Sequence, residues 1–325
     1  MKEIKSIGLF TSGGDAPGMN AAIRAVVRTG LYYDLKVFGI NRGYDGLVKG
    51  DLFQMDAKSV ANIIQRGGTI LKTARSKEFM NAGGRQQAYD HLQKIGIDAL
   101  VAIGGDGTFT GAKKFIEEHD IPIIGIPGTI DNDLQGTDFT IGYDTAINTV
   151  VDAVDKIRDT AESHDRVFIV EVMGRDSGLI ALRSGIGIGA EAILIPEAKM
   201  DFTNMLNRLD KTRKNKSSRI IIVAEGDEAG GAFEVADRVK IRFPHYDVRI
   251  SVLGHIQRGG KPSCMDRVLA SRLGVAAVEG LLAGKSGEMA GLLGGDIGFT
   301  SFDRAIKHIR EVNPNLLKIA EILSL

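Results

Sequence analysis

Short apolar runs recur along the chain, separated by stretches in which apolar residues return every three or four positions. The runs Ser6 to Thr11, Lys36 to Ile40, Ala99 to Ile103, Ile121 to Ile126, Val167 to Val172, Ala192 to Ile195, Ile220 to Ala224 and Val248 to Leu253 predict strands. Met19 to Thr29 and Asp144 to Ser163 predict helices; in the second, Ile147, Val150, Val151, Val154 and Ile157 share one face. This βαβα rhythm predicts an α/β protein with mostly parallel sheets covered by helices on both faces. A chain of 325 residues is long enough for two domains. No Pro- or Ser-rich linker divides it, so the expected crossings lie near residues 140 and 255, and no short internal repeat is present.

Charge narrows the function. Lysine plus arginine equals aspartate plus glutamate, 41 each, so there is no basic field for nucleic acid and no acidic tail. Cys264 is the only cysteine, which excludes an intramolecular disulfide and a cysteine-built zinc site and suits a reducing cytosol. Met1 to Lys5 leads into a strand without a long apolar segment, and no apolar run is long enough to span a bilayer. A soluble cytoplasmic protein is expected, with neither nucleic acid nor membrane as partner. The 41 glycines cluster at strand ends, as ligand-binding turns require.

Three of those strand ends carry candidate chemistry. Thr11-Ser12-Gly13-Gly14-Asp15-Ala16-Pro17-Gly18 joins the first strand to a helix, where backbone N–H groups can approach a polyphosphate. Gly104-Gly105-Asp106-Gly107-Thr108 is read as a flexible turn offering one carboxylate, enough for a magnesium ion that also holds substrate phosphates. Gly128-Thr129-Ile130-Asp131-Asn132-Asp133 follows a third strand. If it is extended, Asp131 and Asp133 share one side, one to take a hydroxyl proton and the other to assist metal or position. Arg75, Arg166, Arg175 and Arg249 are read in polar turns, and His255-Ile256-Gln257-Arg258 emerges together from an apolar strand. Arginine suits bidentate phosphate recognition.

Two patterns are decoys. Glu279-Gly280-Leu281-Leu282-Ala283-Gly284-Lys285-Ser286 misses the Walker spacing by one residue and follows a helix; a glycine helix C-cap explains it. Gly187-Ile188-Gly189-Ala190-Glu191-Ala192 has dinucleotide spacing but precedes a strand, so no nicotinamide cofactor is expected.

Taken together, the three strand-end motifs, Met173-Gly174-Arg175 and Gly254-His255-Ile256-Gln257-Arg258-Gly259-Gly260 resemble bacterial ATP-dependent 6-phosphofructokinases, in that family's order from residue 5 to about 300. The resemblance implies two αβα three-layer sandwich domains. Residues 1–140 plus about 256–305 would form an ATP-binding domain. Residues 141–255 plus about 306–325 would form a fructose 6-phosphate-binding domain. It implies transfer of the ATP γ-phosphoryl group to the 1-hydroxyl of fructose 6-phosphate, with Mg2+, in a cytoplasmic glycolytic homotetramer. Asp131 would be the base. Thr129 and Asp133 would help hold acceptor and metal, and Asp106 would bind magnesium. Gly14, Arg75, Ser76, Gly105, Gly107 and Thr108 would cradle ATP. Arg175 would lie near the transferring group. Met173 and Gly174, with Ile130, would line the sugar site. Glu225 would accept a sugar hydroxyl. His255 and Arg258, with Ile256 and Gln257 between them, would grip the 6-phosphate, joined by Arg166 and Arg249 from a neighbouring subunit.

Within that family, pyrophosphate-using members carry Asp at the position of Gly107 and Lys at that of Gly128, so the two glycines imply ATP as donor. Arg24, Arg28, Arg158, Gly189, Glu191, Lys214 and Lys216 match an effector site for ADP or phosphoenolpyruvate. Ala57 stands where some relatives use arginine, and Ser217 and Ser218 replace more basic or bulky neighbours, so weak or unusual allostery is expected. Asp176 replaces a Tyr or His and receives no role. The alternatives are a pyrophosphate-dependent enzyme and a sugar-phosphate or nucleotide sensor without turnover.

Overall fold

The computed structural model describes residues 3–162, 166–198, 202–211, 219–226, 230–306 and 312–323. Its strands are β1 (Ser6–Thr11), β2 (Lys36–Ile40), β3 (Leu52–Met55), β4 (Ala99–Gly104), β5 (Ile123–Pro127), β6 (Arg166–Val172), β7 (Ala192–Leu194), β8 (Arg219–Ala224), β9 (Asp247–Val252), β10 (Glu288–Leu293) and β11 (Asp296–Ser301). Its α-helices are α1 (Met19–Tyr32), α2 (Tyr44–Lys49), α3 (Ala82–Ile95), α4 (Asp106–Glu118), α5 (Tyr143–Glu162), α6 (Leu179–Gly187), α7 (Phe202–Lys211), α8 (Gly231–Arg242), α9 (Cys264–Leu282), α10 (Phe302–Ala305) and α11 (Pro314–Leu323). The chain divides into two compact units, Met1–Thr145 with Arg258–Arg310, and Ala146–Gln257 with Glu311–Leu325.

The first unit is built on a seven-stranded sheet in the order β11-β10-β5-β4-β1-β2-β3. The strands from β10 through β2 run parallel, and β3 and β11 pair antiparallel at the edges. After β1 the chain builds outward to β2 and β3, then returns to place β4 on β1's other side. That makes the β1/β4 junction a topological switch point, where open α/β sheets hold their ligands. β1, β4 and β5 are buried along their whole length because both faces are covered. One face packs an aromatic cluster: Tyr44 stacks on Phe79 at 4.1 Å between ring centroids, and Phe109 on Phe302 at 5.2 Å. Against the sheet, α1 and α9 pack closely at Gly274, where a Cβ would lie 2.5 Å from Ala25 Cβ.

The second unit has a four-stranded, fully parallel sheet in the order β7-β8-β6-β9. α8 packs on it through Val235, Ala236 and Val239, which join Val167, Ile169, Ile221 and Val223 in one core.

Several elements differ in extent from the sequence reading. β5 starts at Ile123 rather than Ile121, because Pro122 has no N–H for the ladder and contributes only its carbonyl, which accepts from Leu100 N at 2.8 Å. Arg166 and Arg249 lie on β6 and β9, not in turns. The Walker-like decoy is the end of α9, with Gly284 at φ 81° and Lys285 N bonded to Gly280 O.

Candidate functional site

In the first unit the loops after β1, β4 and β5 lie side by side. Ser12 N donates to Ile103 O at 3.0 Å, and Gly128 N to Gly104 O at 3.0 Å. Thr108 Oγ1 donates to Ser12 O at 3.2 Å, and a Cβ on Gly105 would sit 3.6 Å from Thr129 Cβ. The glycines make this approach possible: a Cβ on Gly104 would fall 2.5 Å from Ser12 O.

Asp106 is not in a flexible turn. It is the first residue of α4, with Gly105 as N-cap, and is half-buried. The N–H groups of that first turn and the helix dipole favour an anion beside it. Gly107, in the same turn, has nothing within 4 Å of its Cβ position, so a side chain there enters open space. Gly128 differs: its Cβ would lie 3.1 Å from both Ile103 Cγ2 and Met19 Cε, so a larger residue presses on the core.

The Asp131 to Asp133 stretch is not extended. Asn132 has φ 52°, which breaks the alternation that would place the two acids on one side, so their pairing cannot be argued from spacing. Asn132 holds the turn: its Oδ1 accepts from Thr140 N at 2.8 Å and its Nδ2 donates to Asp138 O at 3.3 Å. Thr140 Oγ1 donates to Thr129 O at 2.6 Å, and Asp131 N donates to Thr129 Oγ1 at 3.2 Å. Asp131 is 7% exposed, Ile130 is fully buried and Asp133 is half-buried.

Arg258, expected among sugar-phosphate ligands, lies over the β1 loop: its Nη1 is 2.6 Å from where a Gly14 Cβ would be and donates to Asp15 O at 3.4 Å. Arg75 is exposed; Ser76 is half-buried and its Oγ accepts from Phe79 N at 3.3 Å. That loop is anchored by buried Arg85, which donates to Phe79 O and Met80 O at 2.9 and 2.8 Å and grips Glu118 with two contacts of 2.6 Å. Arg85 and Asn20 were not foreseen. Asn20 ties the loop at 66–70 to α1 by accepting from Ile70 N at 2.8 Å and donating to Arg66 O and Gly67 O at 3.1 Å each.

Asp266 was also missed, although Ser263-x-x-Asp266 carries a capping-box signal. It is 1% exposed and accepts from Gly142 N and Thr145 N, each at 2.8 Å, and from Thr145 Oγ1. Burial pushes its carboxyl above the ordinary value, against the pull of these donors.

In the second unit Met173, Gly174 and Arg175 follow β6, and Glu225 follows β8, its neighbour. Glu225 Oε1 accepts from Arg175 N at 2.8 Å, holding Arg175 at φ 55°. Gln257 is fully buried, so its place is structural: Oε1 accepts from Met173 N at 3.3 Å and Nε2 donates to Gly254 O at 3.1 Å. His255 and Ile256 are exposed. Arg166 and Arg249 lie toward the N-terminal ends of β6 and β9 in the same sheet, Arg249 in register with Phe168. Arg166 opens β6 and Val172 closes it, a rise of about 20 Å at ~3.3 Å per residue. Within this unit they therefore do not meet Met173, Arg175 or Glu225.

Of the effector candidates, Arg24 is half-buried and Arg28 exposed on α1 of the first unit. In the second unit Arg158 Nη2 donates to Ile188 O, Gly189 has φ 64°, and buried Glu191 accepts from Ile220 N at 2.6 Å. Lys214, Lys216, Ser217 and Ser218 lie outside the described residues. Among the described residues no group of three or more His, Cys, Asp or Glu side chains could enclose a metal ion. A single carboxylate such as Asp106 beside phosphate oxygens fits magnesium, which keeps few protein ligands. None of the described helices is long and apolar enough to cross a membrane.

The family model for phosphofructokinase matches residues 6–281. An ATP-dependent 6-phosphofructokinase of Cytophaga hutchinsonii is 56% identical over 322 residues, 99% of this chain and 98% of that protein. One from Thermus thermophilus is 53% identical over 323 residues, 99% of this chain and all of the other. Among solved structures, phosphofructokinase from Saccharomyces cerevisiae superposes with a TM-score of 0.89 at 37% identity; 98% of this chain is covered, and the chain spans about half (48%) of that longer one. A pyrophosphate-dependent phosphofructokinase from Marinobacter aquaeolei gives 0.84 at 25% identity, covering 96% of this chain and 86% of that one. Identity therefore runs twice as high to the ATP-dependent bacterial proteins as to the pyrophosphate-dependent one, and the fold, the order of its motifs and the extent of the match agree: the chain belongs to the phosphofructokinase family.

Proposed function

We propose that this protein is an ATP-dependent 6-phosphofructokinase, a glycolytic kinase acting on the 1-hydroxyl of fructose 6-phosphate. The observation that carries this reading is the meeting of three strand-end loops at the β1/β4 switch point, with Asp106 and Asp131 on neighbouring crests. Asp131 takes the proton of the 1-hydroxyl as its oxygen bonds to the γ-phosphorus. The bond from that phosphorus to the β,γ-bridging oxygen breaks, and ADP departs with the electron pair. Asp106, with the nucleotide's phosphates, would hold magnesium, which would supply charge compensation. Gly14, Gly105 and Thr108, with the first turn of α4, cradle the phosphates, and Arg75 and Ser76 flank the nucleotide. Thr129 and Asp133 orient the acceptor and metal. In the second unit, Arg175 offsets developing charge while Met173, Gly174, Glu225 and His255 bind the sugar phosphate.

The division of labour follows the two units, ATP on the first and sugar phosphate mainly on the second. In keeping with the family resemblance, Arg166 and Arg249, at the opposite strand ends from Met173 and Arg175, serve a neighbouring copy in a homotetramer with sites completed across subunits. Arg24, Arg28, Arg158 and Glu191 take an anionic effector such as ADP or phosphoenolpyruvate, and the protein works in the cytoplasm. ATP as donor is supported by Gly107, whose open Cβ direction leaves room where an Asp would repel an α-phosphate. Asp131→Asn tests the mechanism: kcat falls by about 10²–10⁴-fold, the range for losing a general base. A kcat near that of the parent protein removes Asp131 from its role.

A further inference from the structure

Asp247 stands between Arg166 and Arg249, near the start of β6 and β9. It pairs in register with Arg166 on the adjacent parallel strand, so their side chains leave the same face of the sheet. Arg249, two residues on along β9, leaves that face as well. One Asp247 oxygen accepts from Arg166 Nε at 2.8 Å and from Arg249 Nη2 at 3.1 Å; the other forms an ion-pair contact with Arg249 Nε at 2.9 Å. We propose that Asp247 is a positioning residue for sugar-phosphate binding, holding Arg166 and Arg249 as one preset fork for a phosphate dianion. This rests on the reading that the two arginines bind the sugar phosphate.

The atoms used carry the inference. Asp247 engages the Nε side of both guanidinium groups, so Arg166's terminal nitrogens and Arg249 Nη1 are not the atoms that hold it. A phosphate needs those outer nitrogens for bidentate recognition. Without the carboxylate, two like charges on neighbouring strands repel and each long side chain regains its rotamer freedom, which the ligand must then remove. With it, the pair keeps a net positive charge and a fixed separation. Arg166 first, and then Arg249, hold the Asp247 carboxyl below its ordinary range, so the clamp is formed at neutral pH.

The test is steady-state kinetics of the assembled enzyme with saturating MgATP and varied fructose 6-phosphate. Asp247→Ala raises KM for the sugar phosphate about 10-fold while kcat stays within about twofold, the signature of lost preorganised binding. Asp247→Asn, which keeps one accepting oxygen, gives an intermediate KM. In an Arg249→Ala background, adding Asp247→Ala changes KM by less than about threefold, because the fork is already broken. Size-exclusion elution and Tm of the single variants match the parent, which separates this from a structural defect. If Arg166→Ala and Arg249→Ala each raise KM but Asp247→Ala leaves it unchanged or lowers it, the clamp is overturned. If neither arginine variant moves KM, the reading of the arginines falls and the clamp with it.

Discussion

Replacing Asp266 with alanine tests how the first unit is held. Its carboxylate is 1% exposed and serves three close donors, Gly142 N, Thr145 N and Thr145 Oγ1, with Ser263 Oγ farther off at 3.5 Å. Thr145 N lies in the first turn of α5 and Gly142 N just before it, and loss of a helix cap alone costs about 1–2 kcal/mol. Taking about 1 kcal/mol for each donor deprived of a buried acceptor, and adding a small cavity, gives about 3–4 kcal/mol. For a unit of about 200 residues that corresponds to a fall in Tm of about 10 °C. Thermal unfolding followed by far-ultraviolet circular dichroism reads it directly. Because burial raises the Asp266 pKa, the folded state holds the proton more tightly than the unfolded state. The residue's contribution is therefore largest at acid pH and declines as pH rises from the ordinary value of 3.8 through the raised one. A Tm shift under about 2 °C at pH 5, or a deficit that grows with pH across that window, refutes the reasoning.

Two further substitutions probe other parts of the account. Arg85→Ala removes a buried guanidinium with partners on the Ser76 loop and on α4, and lowers stability by about 3 kcal/mol, measured by urea denaturation; Arg85→Lys recovers only part of it, since an ammonium cannot reproduce the planar fork. Gly107→Asp folds normally because its Cβ direction is open, yet raises KM for ATP by about 10-fold or more through repulsion of the phosphates; an unchanged KM for ATP places the nucleotide elsewhere.

Much of the fold was legible because parallel strands buried on both faces are unbroken apolar runs. β1, β4 and β8 stand out for that reason. The hairpin of β10 and β11 was not foreseen, although Gly294-Gly295 between two short strand-forming runs is a two-residue turn signal. In the candidate site, the glycines and acids were visible but their local geometry was not. Asn132 in the left-handed region depends on a partner eight residues away, Thr140, and Asp106 belongs to a helix that starts directly after Gly105, where the glycine-rich spacing reads as a turn. Side chains that hold loops in place, Arg85 and Asn20, are hidden for the same reason: their partners are backbone groups read only in three dimensions.

The account stands most directly on the identity of the donor and the product. Phosphorus NMR of the protein with magnesium, fructose 6-phosphate and an equimolar mixture of ATP and pyrophosphate reads both at once. The account predicts a new phosphomonoester at the sugar 1-position, formed one for one with ADP while pyrophosphate persists. Consumption of pyrophosphate with ATP intact, or no sugar bisphosphate at all, contradicts it.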